Sequence, residues 1–456
     1  MEIKQNLDKT IFREYDIRGE YSTQIDASTA YTIGLTYGTK IKSLGKTCCV
    51  VGHDNRLSGE ELTNALIEGI LETGIDIKYL NLCTTPMYYF ACLYLKIDTG
   101  IMVTASHNPV NDNGFKIALT NYDNACGPAI KELYEIACKK EFVSGKGNLE
   151  EVDLKEEYVK RMLEGIELPK KIRVVVDPAN ASPSIIVHDI FDKLNAEVIY
   201  INDVSDGRFP NHHPDPSIEE NMSQLKQAVL DNKADLGIGL DGDADRVGII
   251  DEKGNFVAAD TLMAIIWNDL MAKVSNKTAL YDVKCSKQLP DEIVKLGGIP
   301  FIYRTGNSYL KNKIKEMDLA FGGELSGHLF FRDRWDGFDD GIYAGLRLME
   351  ILSKSDKHFS ELYADFNKYY STPEIKVAVQ EENKFKIVEE VLEHCQKLGL
   401  DVVTVDGVRV EYADGWALVR ASNTGPNLTL RFEASSEERL KEIKEKFITL
   451  VDELKG

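Results

Sequence analysis

From Cys48 onward, short apolar runs alternate with longer amphipathic ones. The run CCVVGHD at 48–54 predicts a buried strand. Ser58 then stands three residues before Glu61 in a capping-box spacing, and Leu62, Ala65, Leu66 and Ile70 share one face of a helix that Gly74 closes. The runs at 75–82 and 100–104 predict two further strands, with one helix after Pro86 and another from Pro128. Strands alternating with helices in this way predict a parallel α/β sheet.

The alternation recurs. Strands at 172–177 and 196–201, a helix near 184–194 and another over 219–232 lead to the apolar run 236–240. A hairpin turn of Asp251, Glu252, Lys253 and Gly254 opens a third unit, with strands at 279–283 and 300–303. From Thr372 the pattern changes to strands around helices: 374–380, a helix over 384–398, strands between 402 and 420, a strand at 428–434 and a helix from Ser435. The domains expected from this are 1–150, 151–250, 251–370 and 371–456.

Composition narrows the partners. The 456 residues include 74 acidic and 54 basic ones, a formal charge of −20 that repels nucleic acid and anionic membranes. An anionic substrate therefore needs a local basic pocket. Charges at Glu2, Lys4, Asp8 and Lys9 leave no apolar core for a secretory signal, and the longest apolar run, 87–95, is too short to cross a bilayer. Eight cysteines in no CxxC or Cys/His spacing suggest reduced thiols and a cytoplasmic protein.

Between the apolar runs 236–240 and 247–250 lies Asp241, Gly242, Asp243, Ala244, Asp245, Arg246. Three carboxylates at every second position, with nothing bulky between them, repel one another unless a cation sits among them. A hard dication fits best, Mg²⁺ before Ca²⁺. The rival readings are a solvated acidic turn, a calcium-binding module and an aspartyl-nucleophile sugar phosphatase. An EF-hand matches Asp241, Asp243, Asp245 and Glu252 but fails at Arg246, where the calcium loop turns on Gly, and its flanks would be helices. The D-x-D of aspartyl phosphatases usually continues to Thr or Val, where Asp245 stands.

Other loops after apolar strands are candidates for the rest of a site. Thr104, Ala105, Ser106, His107, Asn108 and Pro109 lead through a turn to Phe115 and Lys116. A serine-hydrolase reading is weak, because no G-x-S-x-G elbow is present and adjacent side chains such as Ser106 and His107 rarely face each other. Phe12 to Gly19 is charged and aromatic without a period, as in a buried loop paired by salt bridges, and His212 and His213 in a Pro-rich loop read as structural. Lys284, the loop Arg304 to Asn307 and the loop Gly322 to His328 each follow a strand. Arg420 with Ser422, Asn423 and Thr424 has an oxyanion-binding composition.

Taken in order, TASHNP with NGFK, DGDADR, GELSGH and RASNTG resemble the signature loops of the α-D-phosphohexomutases, and of their bacterial-type phosphomannomutase/phosphoglucomutase branch in particular. FREYDIRG, NHHPDPS and DGVRVEY agree, so the resemblance spans essentially the whole chain. It implies three similar mixed α/β domains and a smaller C-terminal α+β (TBP-like) domain around one central cleft. It implies that Ser106 carries a phosphate to the free hydroxyl of a hexose phosphate, with hexose 1,6-bisphosphate as intermediate and activator, interconverting the 1-phosphates and 6-phosphates of mannose, glucose or both. The implied metal ligands are Ser106, Asp241, Asp243 and Asp245, for Mg²⁺. Arg18, His107, Lys116, Arg246 and His328 are the implied groups for proton transfer or charge support. Tyr15, Lys284, Asn307, Glu324, Ser326, Arg420, Ser422, Asn423 and Thr424 are implied to bind substrate.

Charge agrees with this. Three aspartates, a phosphoserine near −2 and Mg²⁺ leave about −3 before a substrate adds about −2. Leu325, where glucosamine-specific relatives tend to have Gln, leans towards unmodified sugars. Two departures from the family pattern stand out: Asn307 replaces a usual His, and 177–181 lacks the usual Gly-Asn-Gly. The expected partner is a small phosphosugar, with neither nucleic acid nor membrane, and the expected state is a monomer or homodimer.

Overall fold

The computed structural model describes residues 1–422 and 425–455, which divide into two compact units. The first comprises residues 1–258, 326–330 and 334–360 and holds two sheets. In one, the strands run Ile17–Glu20, Asp112–Thr120, Gly100–Val103, Cys48–His53, Asp76–Leu82, Leu149–Glu151, with Asp123–Asn124 beside Asp112–Thr120. Cys48–His53 is parallel to Asp76–Leu82 and to Gly100–Val103. Asp112–Thr120 returns antiparallel to Gly100–Val103, and Ile17–Glu20 is antiparallel to it in turn. The sheet is therefore mixed, where strand and helix alternation predicts a parallel one. The loop 104–111 is too short for a crossover helix, so the chain has to fold back as a hairpin.

Helices Ala27–Ser43 and Gly59–Glu72 pack closely in this unit. A Cβ on Gly34 would lie 2.3 Å from Leu66 O, and one on Gly69 would lie 2.3 Å from Tyr31 O, so neither position admits a side chain. The capping box read at Ser58 does not form. Ser58 already has helical angles (φ −86°, ψ −5°), and its hydroxyl accepts from Asn113 Nδ2 at 2.8 Å, while Glu61 accepts from the Tyr21 hydroxyl. The helix after Pro86 is capped as its sequence suggests, with Thr84 accepting the Met87 N–H.

The second sheet orders Phe256–Val257, Val247–Asp251, Leu236–Leu240, Ile172–Asp177, Ala196–Tyr200. Leu236–Leu240 is parallel to Ile172–Asp177 and antiparallel to Val247–Asp251, with Leu240 opposite Val247. The acidic loop 241–246 is thus a hairpin tip whose two arms are buried throughout. Helix Gly341–Lys354 packs on three strands of this sheet. The helix expected near 184–194 is reduced to the 3-10 turn Ser182–Ile185 and the short helix Val187–Phe191, since Pro183 and the β-branched run 185–187 oppose regular helix.

The second unit comprises residues 259–325, 331–333 and those from 361 on. Strand Thr278–Asp282 lies between Ile299–Tyr303 and Phe321–Gly323, parallel to both. A six-stranded antiparallel sheet follows, with Tyr370–Ser371, Asn427–Ala434, Gly415–Ala421, Val408–Tyr412 and Asp401–Val403 in order and Ile375–Ala378 also on Asn427–Ala434. Helices Lys384–Lys397 and Glu437–Leu454 cover one face of it through Ile387, Val391, Phe447 and Val451. Among the described residues no helix is long and apolar enough to cross a membrane. All eight cysteines are free.

Candidate functional site

In the first unit, two hairpins bring their loops together. Ser106 follows Gly100–Val103, Lys116 lies on the returning strand Asp112–Thr120, and the three aspartates occupy the tip between Leu236–Leu240 and Val247–Asp251. Ser106 Oγ donates to Asp241 Oδ2 at 2.7 Å. Lys116 Nζ donates to Asp243 Oδ2 at 2.7 Å and to Asp245 Oδ2 at 2.5 Å. All three carboxylates are completely buried. Gly242 makes the approach possible, because a Cβ there would lie 2.2 Å from the carbonyl oxygen of Ser106.

Contrary to what adjacency in the sequence suggests, Ser106 and His107 do face each other. Ser106 Oγ is 3.1 Å from His107 Nδ1. The serine is in the left-handed region, with φ 49°, and this turns two neighbouring side chains to one side. Since the hydroxyl gives its only proton to Asp241, it accepts from His107 Nδ1–H; the tautomer is assigned from these neighbours. Burial, and then the cationic charge of Arg246 and Arg18, hold the His107 imidazole well below its ordinary pKa.

His328 lies close to the acids, with Nδ1 2.7 Å from Asp339 Oδ2 and 3.5 Å from Asp245 Oδ1. Its Nε2 accepts from Arg246 Nε at 2.9 Å, which puts the imidazole proton on Nδ1. The Arg246 N–H donates to Asp241 Oδ1 at 3.2 Å. Arg18 donates to Asp16 at 2.5 Å, to Asn108 Oδ1 at 2.6 Å and to Ala105 O at 3.2 Å, so it touches the Ser106 loop. Tyr15 is half-buried in the turn before it. Ser326 belongs to the first unit, two residues before His328.

The donor set suits a hard dication. One oxygen from each of Asp241, Asp243 and Asp245 lies within 4.8 Å of the others. Lys116 takes Oδ2 of Asp243 and Asp245, while Oδ1 of each is buried without a hydrogen bond among the described residues. Burial, reinforced by Asp245 and Asp243, pushes the Asp241 carboxyl well above its usual range. An all-oxygen cluster under that repulsion fits Mg²⁺ or Ca²⁺ and offers a thiolate-seeking metal nothing.

The second unit gathers the other candidates. Lys284 Nζ pairs with Glu374 at 3.1 Å, and burial, although it opposes the charge, is outweighed by Glu374, Asp282 and Glu324, which hold the ammonium above its ordinary pKa. Glu324 Oε1 accepts the N–H of Gly306 at 2.7 Å, just before Asn307 opens helix Asn307–Glu316. Arg420 Nη2 is 2.9 Å from Asp406 Oδ2, and Asp406 also accepts the N–H of Thr305 at 3.1 Å. Ser422 ends the described stretch after strand Gly415–Ala421; Asn423 and Thr424 lie outside the described residues.

Several supporting residues escaped the sequence reading. Thr85 donates to Asp243 Oδ2 at 2.6 Å, beside Thr104 of the predicted loop at 3.3 Å, Asp339 orients His328, and Asp282 accepts from Thr305 Oγ1 and the Leu325 N–H. All but Asp339 stand at or just beyond the carboxyl end of a strand, or open the helix that follows one. That position was the available signal.

Comparison with known proteins extends this geometry over the chain. The phosphoglucomutase/phosphomannomutase alpha/beta/alpha domains I, II and III match residues 9–144, 156–254 and 258–369, and the C-terminal domain of the same family matches 374–450. The chain is 41% identical to a phosphomannomutase/phosphoglucomutase of Pseudomonas aeruginosa over 97% of its own length and 95% of that protein. It is 37% identical to a phosphoglucomutase of Neisseria meningitidis over 98% of each. A solved phosphoglucomutase/phosphomannomutase family protein of Burkholderia thailandensis superposes with a TM-score of 0.92 at 35% identity, covering 100% of this chain and 98% of that one. Four domains matched in sequence order, with relatives this similar end to end, mean that this chain belongs to the phosphoglucomutase/phosphomannomutase family and is a phosphohexomutase, an intramolecular phosphotransferase with the expected α/β architecture.

Proposed function

We propose that this phosphohexomutase interconverts the 1-phosphate and 6-phosphate of mannose, glucose or both, with Ser106 as the phosphate carrier. Phosphorylated Ser106 gives its phosphoryl group to the free hydroxyl of the hexose phosphate. The hexose 1,6-bisphosphate formed turns and returns its other phosphoryl group to Ser106, so bonds made and broken balance over the cycle. The observation that carries this reading is the 2.7 Å contact from Ser106 Oγ to Asp241 at the edge of a buried cluster of three acids.

Asp241, Asp243 and Asp245, with an oxygen on Ser106, would hold Mg²⁺, whose charge polarises the phosphoryl group in transfer. Lys116 is held well above its ordinary pKa, burial being outweighed by Asp243 and Asp245, so in this arrangement it is a cation and supplies charge or a proton rather than taking one. Arg18, Arg246 and His107 supply further charge or a proton beside it, and His328 is steadied by Asp339. Glu324 and Ser326 grip sugar hydroxyls, with Lys284, Asn307 and Tyr15 as further substrate contacts. Arg420, Ser422, Asn423 and Thr424 bind the phosphate that stays in place, a role suited to a guanidinium among hydroxyls and amides. The free cysteines suit a reducing, cytoplasmic setting. The domains of the cycle are taken as 1–150, 151–250, 251–370 and 371–456, and the active form as a monomer or homodimer.

Incubation with hexose 1,6-bisphosphate carrying labelled phosphate tests the central claim. An acid-stable, alkali-labile ester on Ser106 is expected, together with loss of label and of turnover in Ser106→Ala. An acyl phosphate on Asp241 or Asp243 would sink the reading. Mannose 1-phosphate, glucose 1-phosphate and glucosamine 1-phosphate assayed side by side decide the sugar, with turnover expected on the first two.

A further inference from the structure

Arg56 follows strand Cys48–His53, is 3% exposed, and touches neither the Ser106 hydroxyl nor the aspartates. Its guanidinium is occupied by main-chain oxygen. Nη2 donates to Ser106 O at 2.8 Å and to Asn108 O at 2.7 Å, and Nη1 donates to Pro109 O at 2.6 Å and to Asp112 O at 2.9 Å. The four Nη hydrogens thus meet four carbonyls of one loop, the full capacity of those nitrogens. Nε faces Asp54 Oδ2 at 3.3 Å, Asp54 Oδ1 accepts the N–H of Arg56 at 3.0 Å, and the ring of Phe209 lies 5.3 Å from the guanidinium carbon.

The backbone held in this grip is strained. Ser106 has φ 49°, a left-handed conformation that is strained for a residue with a side chain and persists only where its surroundings over-determine it. Arg56 fixes the carbonyl of Ser106 and Thr104 Oγ1 accepts its N–H at 2.8 Å, so the peptide groups on both sides are pinned. In this conformation Oγ meets Asp241 and His107. A serine relaxed to φ below zero would aim the hydroxyl elsewhere.

We propose that Arg56 is a positioning residue for phosphoryl transfer: it clamps loop 104–112 through four carbonyls and keeps Ser106 left-handed, with Oγ aimed at the aspartates. The clamp rests on the reading of Ser106 as the phosphate carrier. Lysine cannot replace it, because a compact ammonium with three donors does not span four carbonyls spread along the loop. Nor does Arg56 bind the phosphate itself, since its Nη hydrogens already serve the loop.

Arg56→Lys and Arg56→Ala, compared with wild type and Ser106→Ala, test this. In both Arg56 variants kcat is expected to fall about 10- to 100-fold, the loss expected from misplacing a reacting atom by about 1 Å, while KM stays within about threefold. Amide hydrogen exchange should quicken in 104–111 and not in the sheets, and added guanidinium ion should raise kcat of Arg56→Ala several-fold without affecting wild type. Should Arg56→Ala fail to fold, Arg56→Lys, which keeps charge and bulk, carries the test. Wild-type kcat in folded Arg56→Lys overturns the clamp, as does a fall in kcat with no change in loop exchange. An active Ser106→Ala instead defeats the phosphoserine reading, while loop exchange in Arg56→Lys still judges the clamp.

Discussion

Lys116 enters the acidic cluster from a neighbouring sheet and is the cation nearest to two of its three carboxylates. Removing one partner of a buried ionic group leaves the other uncompensated, which typically costs about 3–5 kcal/mol. A dication bound among the same acids offsets that loss, by about 2.7 kcal/mol at a hundred times its dissociation constant. Lys116→Met is therefore expected to melt well below wild type in chelator and to regain much more stability than wild type on adding Mg²⁺. Thermal melts of both proteins with chelator and with Mg²⁺ check this; equal gains would mean that the acids do not bind the ion. Turnover of Lys116→Met should remain low even in Mg²⁺, because the charge or proton proposed for Lys116 in the transfer is lost with its ammonium.

At the scale of an element, helix Gly341–Lys354 shows how a cap becomes pH-sensitive. Its N-cap Asp340 accepts the Tyr343 N–H at 3.0 Å and the Tyr158 hydroxyl at 2.6 Å, and burial pushes its carboxyl up to about 7. Below about pH 4 the folded and unfolded chains both hold the proton. Between there and about pH 7 only the folded chain does, so stability falls as pH rises through this window and levels off above it. The drop is on the order of 4 kcal/mol. Asp340→Asn keeps a capping oxygen and has no charge to bury, so its stability should exceed wild type at pH 8 and converge on it near pH 4. Urea unfolding of both proteins across that range measures the difference. Equal pH profiles would mean that the buried carboxyl is ionised throughout.

For the whole molecule, the net charge of −20 makes it an unpromising host for a doubly phosphorylated sugar unless cations are concentrated where phosphate binds. The proposed roles divide accordingly, with transfer on the residues around Ser106 and retention of substrate on Arg420 and its neighbours. Arg420→Ala is expected to raise KM for the sugar phosphate about 10- to 100-fold, the worth of a charge-assisted contact, with a smaller effect on kcat. Steady-state kinetics decide it, and unchanged KM would place phosphate recognition elsewhere.

Local pattern along the chain marks most of the elements and the residue types of the site. Apolar runs of strand length alternating with amphipathic ones marked the sheets, and the DGDADR loop between two such runs marked the acids, because burial and repulsion between near neighbours are local properties. Tertiary structure decided what depends on contacts far apart in the chain. Asp112–Thr120 runs antiparallel because of where the sheet receives it, and Ser58 leaves its expected cap because Asn113 reaches its hydroxyl. Ser106 turns its hydroxyl to Asp241, 135 residues away, and to its own neighbour His107 through a left-handed backbone that Arg56 and Thr104 hold. Periodicity carries no information about such a conformation, since its cost is local and the grip of Arg56 that sustains it comes from fifty residues away.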